Sequence, residues 1–212
     1  MVKITNSSVS VGVRLFFAAL LGSMVMGCVS SPSKNADIDY AKYSESRDAL
    51  ASELGEKEEY EFALDLAQMA VERKRYNRAE VLLQKLRKVN QQDVRSYRLL
   101  AKIYESQGKI EYARVSMQEA IKQPTKTVDD ESEFARLSLM LNDYSSAEEI
   151  YQAWLLSKEA NRQISALNNL GFSQLLQKNY PLAQTYFEQA LQKDPLNSKA
   201  RNNLQLLKTL ME

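Results

Sequence analysis

The chain of 212 residues contains no histidine and only one cysteine, Cys28. Without histidine there is no imidazole metal ligand, no Ser-His or Cys-His nucleophile pair, and no side chain that ordinarily titrates near neutral pH. A single cysteine can form neither an intrachain disulfide nor a thiolate-rich metal site. The sequence also has no Gly-rich phosphate loop. We therefore expect neither catalytic residues nor a bound cofactor or metal.

Glycine and proline are scarce, with 6 and 4 residues, and neither sign of charge is in excess. The 28 Lys and Arg residues nearly balance the 27 Asp and Glu residues, so nothing indicates a nucleic-acid partner. Leu, Ala, Gln, Glu and Lys are abundant, which favours an all-α protein. The length suits one sizeable domain.

The chain has one long apolar run, "LFFAALLGSMVM" from Leu15 to Met26. Its 12 residues correspond to about 18 Å of helix, whereas a membrane-spanning helix needs roughly 20 residues. Lys3 and Arg14 precede the run, and no acidic residue occurs before Asp37. A basic start followed by a short apolar run is typical of a signal peptide, which we predict at residues 1–27.

The run ends in "VMGC", which resembles the lipobox of bacterial lipoproteins. The resemblance implies cleavage before Cys28 and acylation of that residue. Several acyl chains, at about 0.8 kcal/mol per buried methylene, hold far better than one. Val29 follows instead of the Asp that retains many such lipoproteins in the inner membrane, so the resemblance implies a lipid anchor in the outer membrane, facing the periplasm. An ordinary secreted protein or an uncleaved anchor helix are the alternatives.

The residues after the predicted cleavage site are small and polar. We interpret residues 28–39 as the lipidated cysteine and a flexible tether, and residues 40–59 as a partial helix. Loss of residues 1–27 removes two cations and no anion, so the remaining chain stays close to neutral.

Small and bulky residues recur at a fixed interval from residue 67 to residue 190. Each set begins with a small residue and continues with bulky or small residues 9, 12, 16 and 19 positions later. The first residues of successive sets lie 34, 34 and 36 residues apart. The four sets are Ala67, Tyr76, Ala79, Leu83 and Leu86; Ala101, Ile110, Ala113, Met117 and Ala120; Ala135, Tyr144, Ala147, Tyr151 and Trp154; and Gly171, Tyr180, Ala183, Phe187 and Ala190.

This pattern resembles the tetratricopeptide repeat (TPR), in which each unit is a helix, a turn and a second helix. One hairpin cannot bury its apolar stripe alone, so hairpins stack into a solenoid. The resemblance implies an all-α superhelix within residues 60–212. Its four repeats fall at about 60–93, 94–127, 128–161 and 164–197, with a polar-faced capping helix at 198–212. Two residues near Asn161 and Arg162 are inserted before the last repeat, where we expect the pitch to change.

In such a stack the first helices line a concave groove. The repeat register predicts three positions in each first helix that face the groove. They are the residue after the small residue and the residues three and six positions before the small residue. Cations there would bind carboxylates and asparagines would bind peptide backbone, unless the cations merely balance nearby acids. Asn169 occupies a position where some TPR domains carry an asparagine that clamps a C-terminal carboxylate. The candidate peptide-binding residues are Gln68, Arg95, Arg98, Lys102, Arg136, Asn168, Asn169 and Phe172.

The segment from Ala166 to Leu207 is similar to the TPR lipoproteins of tight-adherence (Tad/Flp) pilus assembly. The runs "NNLGFS" at 168–173 and "ARNNL" at 200–204 carry this similarity. It implies an outer-membrane lipoprotein that binds a secretin or another pilus subunit during assembly. Two alternatives remain open: the pilotin of a type IV pilus secretin, and an envelope adaptor that regulates a cell-wall enzyme.

Overall fold

The computed structural model describes residues 55–212, in which every regular element is an α-helix. The helices are α1 (Glu56–Glu72), α2 (Tyr76–Val89), α3 (Val94–Ser106), α4 (Ile110–Ile121), α5 (Val128–Met140), α6 (Tyr144–Leu155), α7 (Ala160–Leu176), α8 (Tyr180–Lys193) and α9 (Ser198–Met211). The first eight form four successive hairpins, so the predicted all-α solenoid is confirmed. The predicted signal peptide, Cys28, the tether and most of the partial helix at 40–59 lie outside the described residues.

The helix boundaries follow the repeat register with two departures. Helices α3 and α5 begin at Val94 and Val128, the first residues predicted for the second and third repeats. Helices α1 and α7 begin at Glu56 and Ala160, one turn before the predicted starts at 60 and 164. The two inserted residues near Asn161 therefore lie inside α7 and lengthen that helix, not the loop before it.

All four hairpins turn through a residue with positive φ. These residues are Lys74, Gly108, Asn142 and Lys178, with φ between 57° and 72°. The same two backbone hydrogen bonds end the first helix of each hairpin. In the second hairpin, for example, the Gly108 N–H donates to the Glu105 carbonyl at 2.9 Å, and the Lys109 N–H donates to the Tyr104 carbonyl at 2.8 Å. This arrangement bonds the last carbonyls of the helix, which otherwise lack a partner. The conformation recurs with the repeat although only one of the four residues is glycine.

Small residues let the two helices of each hairpin approach closely. Ala67, Ala101, Ala135 and Gly171 from the first helices are buried, and so are Ala79, Ala113, Ala147 and Ala183 from the second helices. A bulky residue one turn after the second small residue fills the adjacent space. These bulky residues are Leu83, Met117, Tyr151 and Phe187, all at most 3% exposed.

Helix α9 covers the end of the last hairpin. Asn197 caps it by accepting a hydrogen bond from the Ala200 N–H at 3.0 Å, and Ala200 and Leu207 are fully buried. Its outer face departs from the polar surface that we expected, because Leu206 and Leu210 are 45% and 51% exposed.

The positive-φ turns predict a stabilising substitution. Left-handed backbone costs a non-glycine residue about 1–2 kcal/mol, partly offset by the greater freedom of an unfolded glycine. We expect Lys178→Gly to raise the free energy of unfolding by about 0.5 kcal/mol and Gly108→Ala to lower it by about 1 kcal/mol in urea titrations. Lys109 has φ −88° and is the matched control, so a gain from Lys109→Gly would contradict this explanation.

The contact between Gly171 and Phe187 predicts a destabilising substitution. A Cβ added at Gly171 would lie 2.6 Å from two carbons of the Phe187 ring, which is fully buried. We expect Gly171→Ala to cost about 1–3 kcal/mol in thermal or urea unfolding, despite the better helix propensity of alanine. The variant Phe187→Leu should restore part of the loss when it is combined with Gly171→Ala. A fully additive double variant would show that the two residues do not clash.

Candidate peptide-binding groove

Two adjoining pockets lie along the first helices of the second, third and fourth repeats. The α3–α5 pocket, of about 580 Å³, is lined by residues that include Arg98, Lys102, Glu105 and Asp129. The α5–α7 pocket, of about 450 Å³, is lined by residues that include Asp129, Ser132, Ser165, Asn168, Asn169 and Lys199. Because Asp129 lines both, the two pockets together form one groove on the face that the repeat register selects.

Arg95 is held by acidic residues and does not lie in either pocket. Its guanidinium forms ion pairs with Glu61 at 2.7 Å and with Asp93 at 2.6 Å, which connects α1 to the start of α3. The hydrogen bond from Arg95 lowers the pKa of Glu61. Burial tends to raise the pKa of Asp93, but hydrogen bonds from the Arg95 side chain and backbone lower it overall. Arg95 therefore has a structural partner on each side.

Arg98 lines the α3–α5 pocket and is also paired. Its guanidinium donates to both carboxylate oxygens of Asp130, at 2.5 and 2.6 Å, and only 3% of the Asp130 side chain is exposed. Asp130 closes a capping box with Thr127, whose backbone N–H donates to it at 2.7 Å. Burial tends to raise the pKa of Asp130, but the hydrogen bonds from Arg98 and Thr127 lower it overall. Arg98 thus fastens the start of α5 to α3.

Arg136, on α5, forms a second link between α3 and α5. It pairs with Glu105 of α3 and with Glu133 of its own helix, both at 2.6 Å. The predicted cationic cluster is therefore largely neutralised by acids that the stacking of repeats brings beside it. That these three arginines bind a peptide stays a prediction.

Lysine side chains supply the uncompensated positive charge of the groove. Lys102, predicted from the register, is exposed in the α3–α5 pocket and makes no ion pair with a described residue. Lys199 does the same in the α5–α7 pocket. Sequence reasoning missed Lys199 because it belongs to α9, which we interpreted only as a cap.

The two asparagines lie in the α5–α7 pocket but differ in burial. Asn168 is 7% exposed and accepts a hydrogen bond from Asn203 of α9 at 3.0 Å. It donates to the side-chain oxygen of Asn169 at 3.3 Å. The amide nitrogen of Asn169 has no partner among the described residues, so it is the one able to bind a ligand.

Two further predicted groove residues, Gln68 and Phe172, line neither pocket, as is also the case for Arg95 and Arg136. Gln68 is on α1, outside both pockets, and donates to Glu72 at 3.1 Å. Phe172 is half-buried and packs against the cluster of Leu175, Phe187 and Leu207. Because α9 contributes Leu207 to this cluster, the ring of Phe172 packs there and does not line the groove.

The groove is least closed between α5 and α7. Side-chain hydrogen bonds or ion pairs join α1 to the start of α3, α3 to α5, and α7 to α9, but within residues 55–212 none joins α5 to α7. Ser132, Ser165 and Asn161 line this gap without side-chain hydrogen bonds to described residues. Hydroxyl and amide groups both donate and accept, which suits them to the backbone of an extended peptide.

Two kinds of site are absent from the described residues. No group of three or more Cys, Asp or Glu side chains there could hold a metal ion. None of the helices in that part is both long and apolar enough to cross a bilayer.

Comparisons with known proteins agree with the repeat. The family model of the tetratricopeptide repeat matches residues 164–197, the fourth unit. A TPR protein from Parabacteroides merdae has a TM-score of 0.58 at 22% identity, covering 72% of this chain and 60% of that one. The comparison with curated proteins finds no match.

Two further solved structures are similar in fold. YrrB, described as a TPR protein with an unusual peptide-binding site, has a TM-score of 0.54 at 14% identity, covering 70% of this chain and 76% of that one. A structure from the functional characterization of Pseudomonas aeruginosa PilF has a TM-score of 0.53 at 16% identity, covering 72% and 68%. At these identities the likeness shows the TPR fold alone.

The Arg98–Asp130 pair predicts a pH dependence of stability. The pKa of Asp130 is lower in the folded chain than the value of about 3.9 in an unfolded one, so its contribution is present above pH 4 and is lost as the pH falls further. We expect Asp130→Asn to destabilise the protein by about 1–3 kcal/mol at pH 7 and to flatten the loss of stability below pH 4. Urea titrations between pH 7 and pH 2 measure both effects. Asp129→Asn, an exposed neighbour, is the matched control, and an equal effect there would remove Arg98 from the explanation.

Proposed function

We propose that this tetratricopeptide-repeat protein is a lipid-anchored scaffold of the bacterial outer membrane that holds an extended segment of a partner protein during assembly of a tight-adherence pilus or its secretin. The repeat fold and the family match support a scaffold for protein–protein interaction. The anchor, the compartment and the identity of the partner are the further parts of the proposal.

The α5–α7 pocket is the observation that carries the binding role. An extended peptide presents an N–H or a C=O group every few ångströms along each edge. The hydroxyl groups of Ser132 and Ser165 and the amide nitrogen of Asn169 form no hydrogen bond with a described residue; the Asn169 oxygen accepts only the 3.3 Å bond from Asn168. Because these groups line a gap that no polar bridge closes, a peptide can bind them without breaking an existing contact.

The charges of the groove favour a particular kind of segment. Lys102 and Lys199 lie in different pockets, and each can form a charge-assisted hydrogen bond with a carboxylate. Asp129, which lines both pockets, can accept from a backbone N–H or a cationic side chain. A polar segment with acidic groups towards both ends matches this order of charges.

Sequence features support the envelope role. The "VMGC" motif supports lipidation of Cys28, and Val29 supports transfer to the outer membrane. The runs at 168–173 and 200–204 support a place in tight-adherence pilus assembly. The fold likeness to the PilF structure is compatible with this role but is too distant to carry it.

Site-specific photo-crosslinking in cells tests the proposal. A photoreactive residue in place of Ser165 should capture one partner, and the same residue in place of the exposed Gln152 on α6 should not. Mass spectrometry of the product distinguishes a secretin or pilus subunit from a cell-wall synthase, and a synthase would support the adaptor alternative. We expect the pair Lys102→Glu and Lys199→Glu to reduce capture by ~10-fold because both would repel the acidic groups, whereas Lys88→Glu on α2 should leave it unchanged.

Genetic tests address the other parts separately. Deletion of the gene should reduce surface pili and secretin multimers, and normal levels of both would reject the pilus role even if a peptide is captured. Cys28→Ser should release the protein from the outer-membrane fraction, and its retention there would reject the lipid anchor.

A further inference from the structure

Helix α1 and Arg73, the residue that directly follows it, expose a row of five residues on one face. Glu59, Phe62, Leu66, Met69 and Arg73 follow one another at intervals of three, four, three and four residues. All five are exposed; Phe62 is 58% exposed, and Leu66 and Met69 are each 43% exposed. The interval is that of the seam of a coiled coil, so these residues, which we name the α1 stripe, lie along one line of the helix.

The α1 stripe lies beside the face that α1 buries, and the buried Ala70 lines the same small pocket as Leu66 and Met69. Leu64, Ala67, Ala70 and Val71 of the same helix belong to the hydrophobic core. Single exposed apolar residues are ordinary on a protein surface, but a contiguous row is typical of an interaction site. A shallow pocket of about 170 Å³ adjoins the stripe and is lined by Leu66, Met69, Arg73, Arg75, Arg78 and Leu82 among others. This end of the solenoid thus offers an apolar surface that no described residue covers.

The charges of this surface are self-complementary about Leu66. Glu59 and Arg73 are each seven residues from Leu66, on opposite sides. Further cations, Arg75 and Arg78, continue the basic end, and the first turn of α1 supplies more acid. Neither Glu59 nor Arg73 forms an ion pair with a described residue. The helix dipole explains the preference for acid at the start and a cation at the end, but not the uncovered apolar row between them.

We infer that the α1 stripe binds the α1 stripe of a second copy of this chain in an antiparallel, two-fold symmetric pair. A two-fold axis through Leu66 brings Glu59 of each copy beside Arg73 of the other, and packs Phe62 against Met69 twice. A parallel pair would place Glu59 beside Glu59 and Arg73 beside Arg73. An anionic membrane would repel the Glu59 end, and a partner helix of one charge sign would match only half of the stripe.

This inference is independent of the proposed function. Neither pocket of the groove contains a residue of α1. Pairing through the stripe therefore leaves both pockets accessible, and two grooves would be presented by one assembly.

Sedimentation equilibrium tests the inference on the chain from Val29 onwards, which lacks Cys28 and the apolar run but keeps all described helices and their core. We expect a monomer–dimer equilibrium that weakens at 0.5 M salt, because the paired charges are exposed. Glu59→Arg, which would place like charges at both ends of the pair, should weaken dimerisation by at least ~10-fold. Glu149→Arg, at an exposed site on α6, is the matched control and should leave it unchanged.

Charge exchange decides the orientation. Arg73→Glu alone should also give monomers, whereas the double variant Glu59→Arg with Arg73→Glu should restore the dimer. An equimolar mixture of the two single variants should form dimers as well, with circular dichroism confirming that every variant is folded. A wild-type monomer at all concentrations, as expected if another part of the chain covers the stripe, would overturn the inference. So would a dimer that is insensitive to Glu59→Arg, or a double variant that stays monomeric.

Discussion

Close approach of paired helices is the constraint on which the rest of this structure depends. Eight buried small residues, two in each hairpin, let a first helix and a second helix pack with little space between them. Gly171 shows how narrow the tolerance is, because a single added carbon would lie 2.6 Å from the Phe187 ring. Hairpins packed in this way have an uncovered apolar side, which only another hairpin or a cap can cover. The stack, the groove and the uncovered α1 stripe all follow from that requirement.

Stacking also decides which charges are free. Residues about one repeat apart in the sequence become neighbours, so Arg95 meets Glu61 and Arg98 meets Asp130. These pairs hold adjacent first helices together and use most of the positive charge that the register directs towards the groove. Between α5 and α7 the repeat interval is two residues longer, and no polar bridge joins these helices within the described residues. Where the repeat interval is longer, the series of ion pairs between first helices is interrupted and the α5–α7 pocket stays open.

Much of the fold was predictable because the same spacing of small and bulky packing residues occurs in all four repeats. The hairpins and the start of α3 and α5 follow from the spacing of small and bulky residues. The conformation of Lys74 and Lys178 did not follow, because lysine carries no local signal for positive φ and the turn geometry imposes it. Lys199 was missed and Phe172 was misplaced for one reason: both depend on where α9 packs, and no repeat precedes it from which to read that position.

By itself, the sequence determined the helical hairpins, their number in the described chain and the face on which a groove would form. Periodicity specifies these features because each depends only on residues within one repeat or its nearest neighbour. Only the tertiary structure decided which side chains of that face remain available, since the ion pairs between first helices and the packing of Phe172 against Leu207 depend on distances between residues 30 or more positions apart. It also revealed that the apolar row of α1 is uncovered, because exposure is a property of the whole fold and not of the helix that carries it.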